Sequence, residues 1–427
     1  MHQKISQTPI LLSIAAGNSS CCIFRVPKSF VEINDECYQP QIVSIGPYHR
    51  GEPKLRMIEE HKWRYLGSLL DRKKTSSGLS LEEYLKAVEP LEIRARECYS
   101  ETIGLNRDEF LEMLVLDGCF IIELFLKVGK LVPFEPGDPI ISMAWILPFF
   151  YRDFLRLENQ IPYFILECLF DLIMEDGQSG PSLSSLALEF FNYAMQRRDE
   201  DIAKFHDLKG KHLLDLVRKS FIPFDHDGDQ RHKGPTPTHI IHCVSKLRRS
   251  GIRFNPAKEE TFLVVHFRRG VIHMPTITID DFMSSFLQNC VAYEQCHRSC
   301  TKHFTTYATF LDCLINTASD VEYLCDRNVV ENYFGTDMEV AGFINKLGKD
   351  VAFDIQRCYM AELFNNVHEY HKSSWHVQWA SFKYTYFDTP WSFISALAAF
   401  ILLILTVLQT FFTVYPAVRG DPVKGQG

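Results

Sequence analysis

The C-terminal part of the chain contains the feature that most limits how it can fold. Residues 393–415, FISALAAFILLILTVLQTFFTVY, carry no charged side chain over 23 positions. At about 1.5 Å per residue, a helix of this length crosses a hydrocarbon core of about 30 Å. Aromatic residues, which favour the membrane interface, are frequent just upstream. We therefore predict a transmembrane helix over residues 391–415, in contact with membrane lipid, and a short tail over residues 416–427.

An apolar run can also be the buried core helix of a soluble domain, and a second run in the chain shows the difference. Residues 110–129 are almost as apolar, but they include three acidic residues, Glu112, Asp117 and Glu123. An acid near a bilayer centre costs about 2.5–3.5 kcal/mol on insertion scales, so this run is predicted to be a buried helix of a soluble domain. Because a buried carboxylate needs a partner, we expect Asp117 to be hydrogen-bonded or paired with a base such as Arg152 or Arg156.

The charges beside the apolar run do not select a membrane orientation. Lys372 and Lys383 precede it, and Arg419 and Lys424 follow it, so the positive-inside count is tied.

Residues 1–20 make a poor signal peptide and are predicted to be a flexible tail. The 13 cysteines are an odd number at irregular spacing, which favours reduced thiols. We predict a single-pass membrane protein whose main domain is cytosolic.

Helical patterns dominate the main domain. Ser80 with Glu83 and Asn106 with Glu109 are capping-box pairs at the start of apolar-periodic segments. Pro90 is expected to bend or split the first of these helices. We predict a mainly α fold with a small antiparallel β-sheet (α+β), in one domain over residues 21–390.

Two parts of this domain depart from the helical pattern. Residues 224–238 are polar and contain Gly, Pro and mixed charges, which predicts an exposed loop. Residues 251–279 contain short β-rich runs, and the sequence Arg268-Arg269-Gly270 suits a hairpin turn.

The formal net charge of −8 is spread along the chain. Without a basic stripe, nucleic acid is not an expected partner. An unidentified protein partner is expected instead.

Residues 42–51, IVSIGPYHRG, resemble the loop of an active site in composition. Ser44 has Gly46 two positions later, but Ile42 stands where a nucleophile elbow needs glycine. The stretch also lacks the Gly-Lys-Ser/Thr of a phosphate-binding loop. We assign no catalytic residue and no cofactor on this evidence.

The best metal candidates lie in the sequence CHRSCTKH. Its possible ligands are Cys296, His297, Cys300 and His303, with Cys290 nearby. Sulfur and imidazole suit zinc, but no Cys-x-x-Cys pair is present. The alternative is a set of core thiols beside a surface histidine, and no metal is predicted.

Ten segments, in order over residues 22–412, together resemble a plant family called domain of unknown function 247. They include RVPKSF, YQPQIVSIGPYHRG, KWRYL, LVLDGCFIIELF, LENQIPYFILE and PWSFISALAAFILLILTVLQT. The resemblance implies a C-terminal membrane helix, and it implies that residues 42–51 form a turn. It carries over no enzyme activity and no functional residue.

Three functions remain open at this point. The first is a membrane-anchored, non-enzymatic interaction or signalling protein of plants. The second is a membrane-tethered hydrolase or transferase whose site is built from His49, Arg50, Asp117 and Glu158. The third is a cell-surface recognition ligand, which requires a cleaved leader and paired cysteines.

Overall fold

The computed structural model describes residues 20–76, 78–174, 180–223, 240–372 and 390–419. The helices of its first half are α1 Lys28–Val31, α2 Arg56–Ser76, α3 Leu81–Val88, α4 Glu92–Arg96, α5 Arg107–Val128, α6 Pro139–Ser142, α7 Ile146–Asp153, α8 Tyr163–Ile173, α9 Leu183–Met195, α10 Asp199–Ala203 and α11 Leu213–Ser220. The second half contains α12 Val244–Arg249, β1 Arg253–Ala257, β2 His266–Arg268, β3 Val271–Pro275, β4 Ile277–Ile279, α13 Asp281–Cys296, α14 His303–Leu314, α15 Ala318–Asp326, β5 Val330–Asn332, α16 Asp337–Leu347, α17 Ala361–Lys372 and α18 Pro390–Arg419.

Helix α5 is the centre of the first half. Its sequence is apolar on most sides, and the helix is buried from Phe110 to Lys127 except at Glu112, which is exposed. Asn106 and Glu109 close the predicted capping box, in which the Asn106 side chain accepts from the Glu109 N–H at 2.9 Å. Helices α2, α3, α8 and α9 pack around α5. The prediction that residues 110–129 form a buried core helix is thus confirmed.

Gly118 sets how closely α8 approaches α5. A Cβ at this position would lie 2.4 Å from a methyl carbon of Leu169 on α8. The two helices pack at this separation because the glycine has no side chain.

The predicted break at Pro90 is also present. Helix α3 ends at Val88, and a 3₁₀ turn over Glu89–Leu91 leads into α4. Ser80 and Glu83 form the capping box that starts α3.

The mainly α fold with a small β component is confirmed, but the strands pair in a mixed manner. Strands β2 and β3 form the predicted antiparallel hairpin, with Arg269 and Gly270 at positive φ in its turn. Strand β1 pairs with β3 in parallel, and β4 pairs in parallel with the three-residue β5. The antiparallel geometry is therefore limited to the hairpin.

Helix α13 is the buried centre of the second half, and it packs against α7, α11, α14 and α16. A buried ion cluster joins it to α11, since Arg218 contacts Glu294 of α13 at 3.0 Å and Asp215 at 3.1 Å. Because all three side chains are buried, removing one partner would leave a charge uncompensated.

Several segment predictions fall outside the described residues. These are the flexible tail except its last residue, the loop over residues 224–238, and residues 420–427 of the C-terminal tail. The boundaries assigned to them stay predictions.

Candidate functional site

Residues 42–51 form an irregular loop against the buried helices. Gly46 has a φ of +76°, in the left-handed region, and a Cβ there would lie 2.3 Å from the carbonyl oxygen of Gln160. Gly51 has a φ of +85° but open space around its Cα. Glycine is needed at position 46 for both conformation and space. A turn is therefore found where the resemblance implied one.

Asp117 of α5 binds this loop and a lysine of α2. Its carboxylate accepts from the Gly46 N–H at 2.8 Å and from Lys62 Nζ of α2 at 2.7 Å. Lys62 also donates to the Ser44 carbonyl and to Glu59. Asp117 and Lys62 are each 1% exposed, so the pair is fully buried. The salt bridge ties α2, α5 and the loop together.

The prediction that Asp117 has a buried partner is confirmed, but the predicted arginines were wrong. Arg156 binds Asp153 at 3.0 Å, and Arg152 lies 3.7 Å from Asp281. Hydrophobic periodicity indicates that a helix face is buried, but it does not identify which helix covers that face.

Asp153, the last residue of α7, and Asn159 after it bind the backbone that leads into the loop. The Asp153 carboxylate accepts from three successive N–H groups, of residues 41–43, at 2.8–3.1 Å. Asn159 accepts from the Ile45 N–H at 2.7 Å and donates to the Val43 carbonyl at 3.1 Å. These bonds replace the hydrogen bonds that a strand or helix would otherwise supply to a buried segment.

Glu158 forms the more accessible end of this network. Its oxygens accept from the Val26 N–H at 2.7 Å and from Arg25 Nη1 at 2.6 Å. His49 Nε2 lies 3.4 Å away without hydrogen-bond geometry, and His49 Nδ1 is 2.6 Å from Glu52. Burial acts to raise the pKa of Glu158, but the contacts with His49, Val26 and Arg25 outweigh it and lower that pKa. Glu158 is thus an ionised group that fixes the N-terminal segment.

Each of the four residues of the enzyme hypothesis is engaged by a partner within the protein. Asp117, His49 and Glu158 are buried, and Asp117 and Glu158 each bind a backbone N–H and a cation. Arg50 instead pairs at the surface with Glu112, at 2.9 Å. The arrangement orients a loop, since the carboxylates of Asp117 and Glu158 are occupied in binding the backbone.

Sequence reasoning gave no role to three members of the network. Lys62, Arg25 and Asp153 supply charges that hold the loop or its neighbours, as described above. Two of them lie in KWRYL and RVPKSF, which were recognised only as family-like segments. Lys62 lies in α2 among other charged residues such as Glu59, Glu60 and Arg64, so its local sequence does not mark it as buried.

The metal candidates lie along α13, the following turn and the start of α14. Cys300 Sγ is 3.3 Å from the His297 carbonyl and 3.8 Å from Lys302 Nζ. His303 packs on the ring of Tyr359 at 4.7 Å. Among the residues that the structure describes, no three His, Cys, Asp or Glu side chains are placed to hold one metal ion.

Burial also keeps these thiols protonated. It raises the pKa of Cys296 to about 12 and that of Cys300 to about 11. Zinc binds the thiolate form, so a metal at these thiols would have to displace their protons. All 13 cysteines of the chain carry free thiols in the structure.

The C-terminal helix α18 is exposed and apolar. Residues Ile394–Val414 form a span of 21 residues that is long and apolar enough to cross a membrane, with none of it buried against the rest of the chain. In a soluble protein such a helix would be buried.

Comparison with known proteins gives the family. A family model for domain of unknown function 247, described as a plant protein of unknown function, matches residues 23–405. The chain belongs to this plant family. One similar protein is UPF0481 protein At3g47200 of Arabidopsis thaliana, which is 38% identical over 445 residues, covering 99% of this chain and 92% of the relative. A second, putative UPF0481 protein At3g02645 of the same plant, is 23% identical over 92% of this chain and 90% of the relative. No solved structure matches.

The family match covers both the loop network and part of α18. It begins at Ile23, which forms a parallel bridge with Tyr99, and it ends at residue 405 inside α18. No molecular function is established for the family, so no residue role can be carried over from it.

Proposed function

We propose that this protein is a membrane-anchored, non-enzymatic interaction or signalling protein, with α18 as its single anchor and its main domain in the cytosol. The exposed, charge-free surface of Ile394–Val414 is the observation that carries the proposal. Its threonine hydroxyls donate to carbonyls of the same helix, as Thr406 does to Leu402 at 2.8 Å and Thr410 to Thr406 at 2.8 Å. Polar groups satisfied in this way are tolerated inside a bilayer.

The geometry of the loop network supports an interaction role over an enzymatic one. Its acids and bases are used in fixing the backbone of the N-terminal segment, as Asp153 does for residues 41–43. A rigid, well-packed domain with an exposed surface suits recognition by another molecule. The free thiols support a reducing compartment.

Carbonate extraction tests the anchor. Full-length protein should stay with the membrane pellet, and a form that lacks residues 391–427 should be released as a soluble, folded domain. Pelleting of the truncated form would refute a single anchor.

A charge substitution gives a sharper version of this test. Leu403→Lys places a charge in the middle of the span and should release the full-length chain, because a central lysine costs about 2.5–3.5 kcal/mol on insertion scales. Ile93→Lys, at a residue that is 72% exposed on the domain surface, is the matched control and should not release it. Equal extraction of the two variants would count against insertion of α18.

The orientation is tested separately. A glycosylation acceptor appended after Gly427 should be modified in microsomes, because the tail is then lumenal and the domain cytosolic. An unmodified tail, with an acceptor in the main domain modified instead, would reverse the orientation.

A further inference from the structure

The last helix before the anchor ends at a junction of three elements. Ser250, at the end of α12, is hydrogen-bonded to His371 of α17 at 2.5 Å. The hairpin tip also contacts α17, since a Cβ on Gly270 would lie 2.5 Å from the Tyr370 hydroxyl. Lys372, the last residue of α17, therefore leaves the domain beside the end of α12 and the β2–β3 turn.

Basic side chains surround this junction. They are Lys246, Arg248, Arg249, Arg253, Arg268, Arg269 and Lys372. Arg253 of β1 and Arg268 of β2 are both in register with Val271 of β3, so they lie in one row across the sheet. Arg248 is half-buried, with its guanidinium 4.0 Å from the ring centre of Tyr323, and the other six are exposed. We call these seven residues the basic junction.

Neighbouring acids do not neutralise the basic junction. Glu259 lies 3.9 Å from His266, and Glu260 is paired with Lys204. Asp320 accepts hydrogen bonds from Ser245. Within the described ranges, no aspartate or glutamate forms an ion pair with any of the seven. In a chain with a net charge of −8, this is a local excess of positive charge.

The chain itself keeps this surface close to a bilayer. Seventeen residues, 373–389, separate Lys372 from the first residue of α18. Even a fully extended chain of that length spans only about 60 Å. The basic junction surrounds the point from which this connection starts.

We propose that the basic junction binds anionic phospholipid head groups and holds the domain against the membrane surface. The proposal rests on the anchoring role of α18 and adds a lipid partner to it. Each lysine or arginine that reaches an anionic surface increases membrane association about fivefold. Lys246, Arg249 and the hairpin arginines meet that surface together, because they are carried on packed elements.

Lysine labelling of the full-length chain in nanodiscs tests this proposal. The discs contain phosphatidylcholine alone or phosphatidylcholine mixed with phosphatidylserine, and a neutral acylating reagent is used. Lys246 should react at least about fivefold more slowly in the anionic discs, relative to Lys86, which is 71% exposed on α3. About 1 M salt should remove the difference, because the Debye length is then only about 3 Å.

A triple variant identifies the residues responsible. Arg249→Gln/Arg268→Gln/Arg269→Gln keeps Lys246 as the reporter and should lose most of its protection in anionic discs.

Arg56→Gln/Arg107→Gln/Arg298→Gln removes the same net charge from exposed positions elsewhere and should keep the protection. If the chain incorporates into the discs but Lys246 is labelled equally in both lipids, the lipid proposal is overturned and the anchor is not. Failure to incorporate would instead overturn the anchor. Stronger protection by duplex DNA in neutral discs than by anionic lipid would assign the surface to nucleic acid and overturn the proposal.

Discussion

The stability of the domain should fall between pH 7 and pH 5, and His212 should account for a measurable part of the change. His212 is fully buried at the start of α11, where Nδ1 accepts from the Asp215 N–H at 3.3 Å. Its Nε2 lies 3.0 Å from the Cys22 carbonyl, which fixes the neutral form with its proton on Nε2. Burial lowers the pKa of His212 to about 4, although the charge of Asp215 acts in the opposite direction.

The sign of the effect follows from proton binding. Between pH 6.5 and pH 4 the unfolded chain binds a proton at His212 and the folded chain does not. The stability contributed by the neutral form is thus complete above pH 6.5 and is lost as the pH falls towards 4. Between pH 7 and pH 5 the loss is about 2 kcal/mol for this one group.

His212→Asn isolates this contribution. Asparagine still caps the helix, but it cannot titrate and loses the bond to Cys22. At pH 7 the free energy of unfolding of the variant should be about 1–2 kcal/mol lower than that of the original protein. Between pH 7 and pH 5 it should fall by about 2 kcal/mol less than that of the original protein. Urea unfolding of the full-length chain in neutral detergent, followed by circular dichroism at both pH values, measures both quantities.

His206→Asn is the control, because that side chain is 66% exposed. It should leave both the stability and its pH dependence close to those of the original protein. Burial also lowers the pKa of His297 to about 4. Both variants keep His297, so its contribution to the pH dependence of stability largely cancels when they are compared. If His212→Asn lowered stability equally at pH 5 and pH 7, the histidine would not be the neutral buried group described.

Three further results are expected. Asp117→Asn should lower the free energy of unfolding by about 1.5–3 kcal/mol in urea titrations, because Lys62 loses its buried anion and keeps only the partly exposed Glu59; an unchanged value would show that the pair is not buried as described. Gly46→Ala should lower thermal stability much more than Gly51→Ala, since both have positive φ but only Gly46 is crowded by Gln160, and equal losses would contradict that contact. Thiol titration of denatured, unreduced protein should find close to 13 thiols, and several disulfides would argue against a cytosolic domain.

Local signals in the sequence were sufficient to predict individual helices, helix ends and the hairpin. The capping box at Asn106, the break at Pro90 and the hairpin at Arg269 each depend on residues within a few positions of one another. The apolar helix α18 was predictable for the same reason, because length and absence of charge suffice.

Non-local pairings were not predictable in this way. Lys62 and Asp117 are 55 positions apart, and neither helix pattern specifies the other. Strand β5 has only three residues, which is too short to show an alternating pattern, so its parallel pairing with β4 was missed. The basic junction was missed because its residues extend from Lys246 to Lys372 and become neighbours only in the fold.

The way the N-terminal segment is held has a consequence for synthesis. The N–H groups of residues 41–43 find their acceptor at Asp153, 110–112 positions later, and the Cys37 carbonyl finds its donor at Asn289. The segment emerges from the ribosome first but cannot complete its hydrogen bonds until the first half of α13 has been made. Such long-range closure slows folding and leaves parts of the nascent chain exposed until their partners have been made. Helix α18, which we propose as the membrane anchor, emerges later still, so the elements that complete the domain are all synthesised before it.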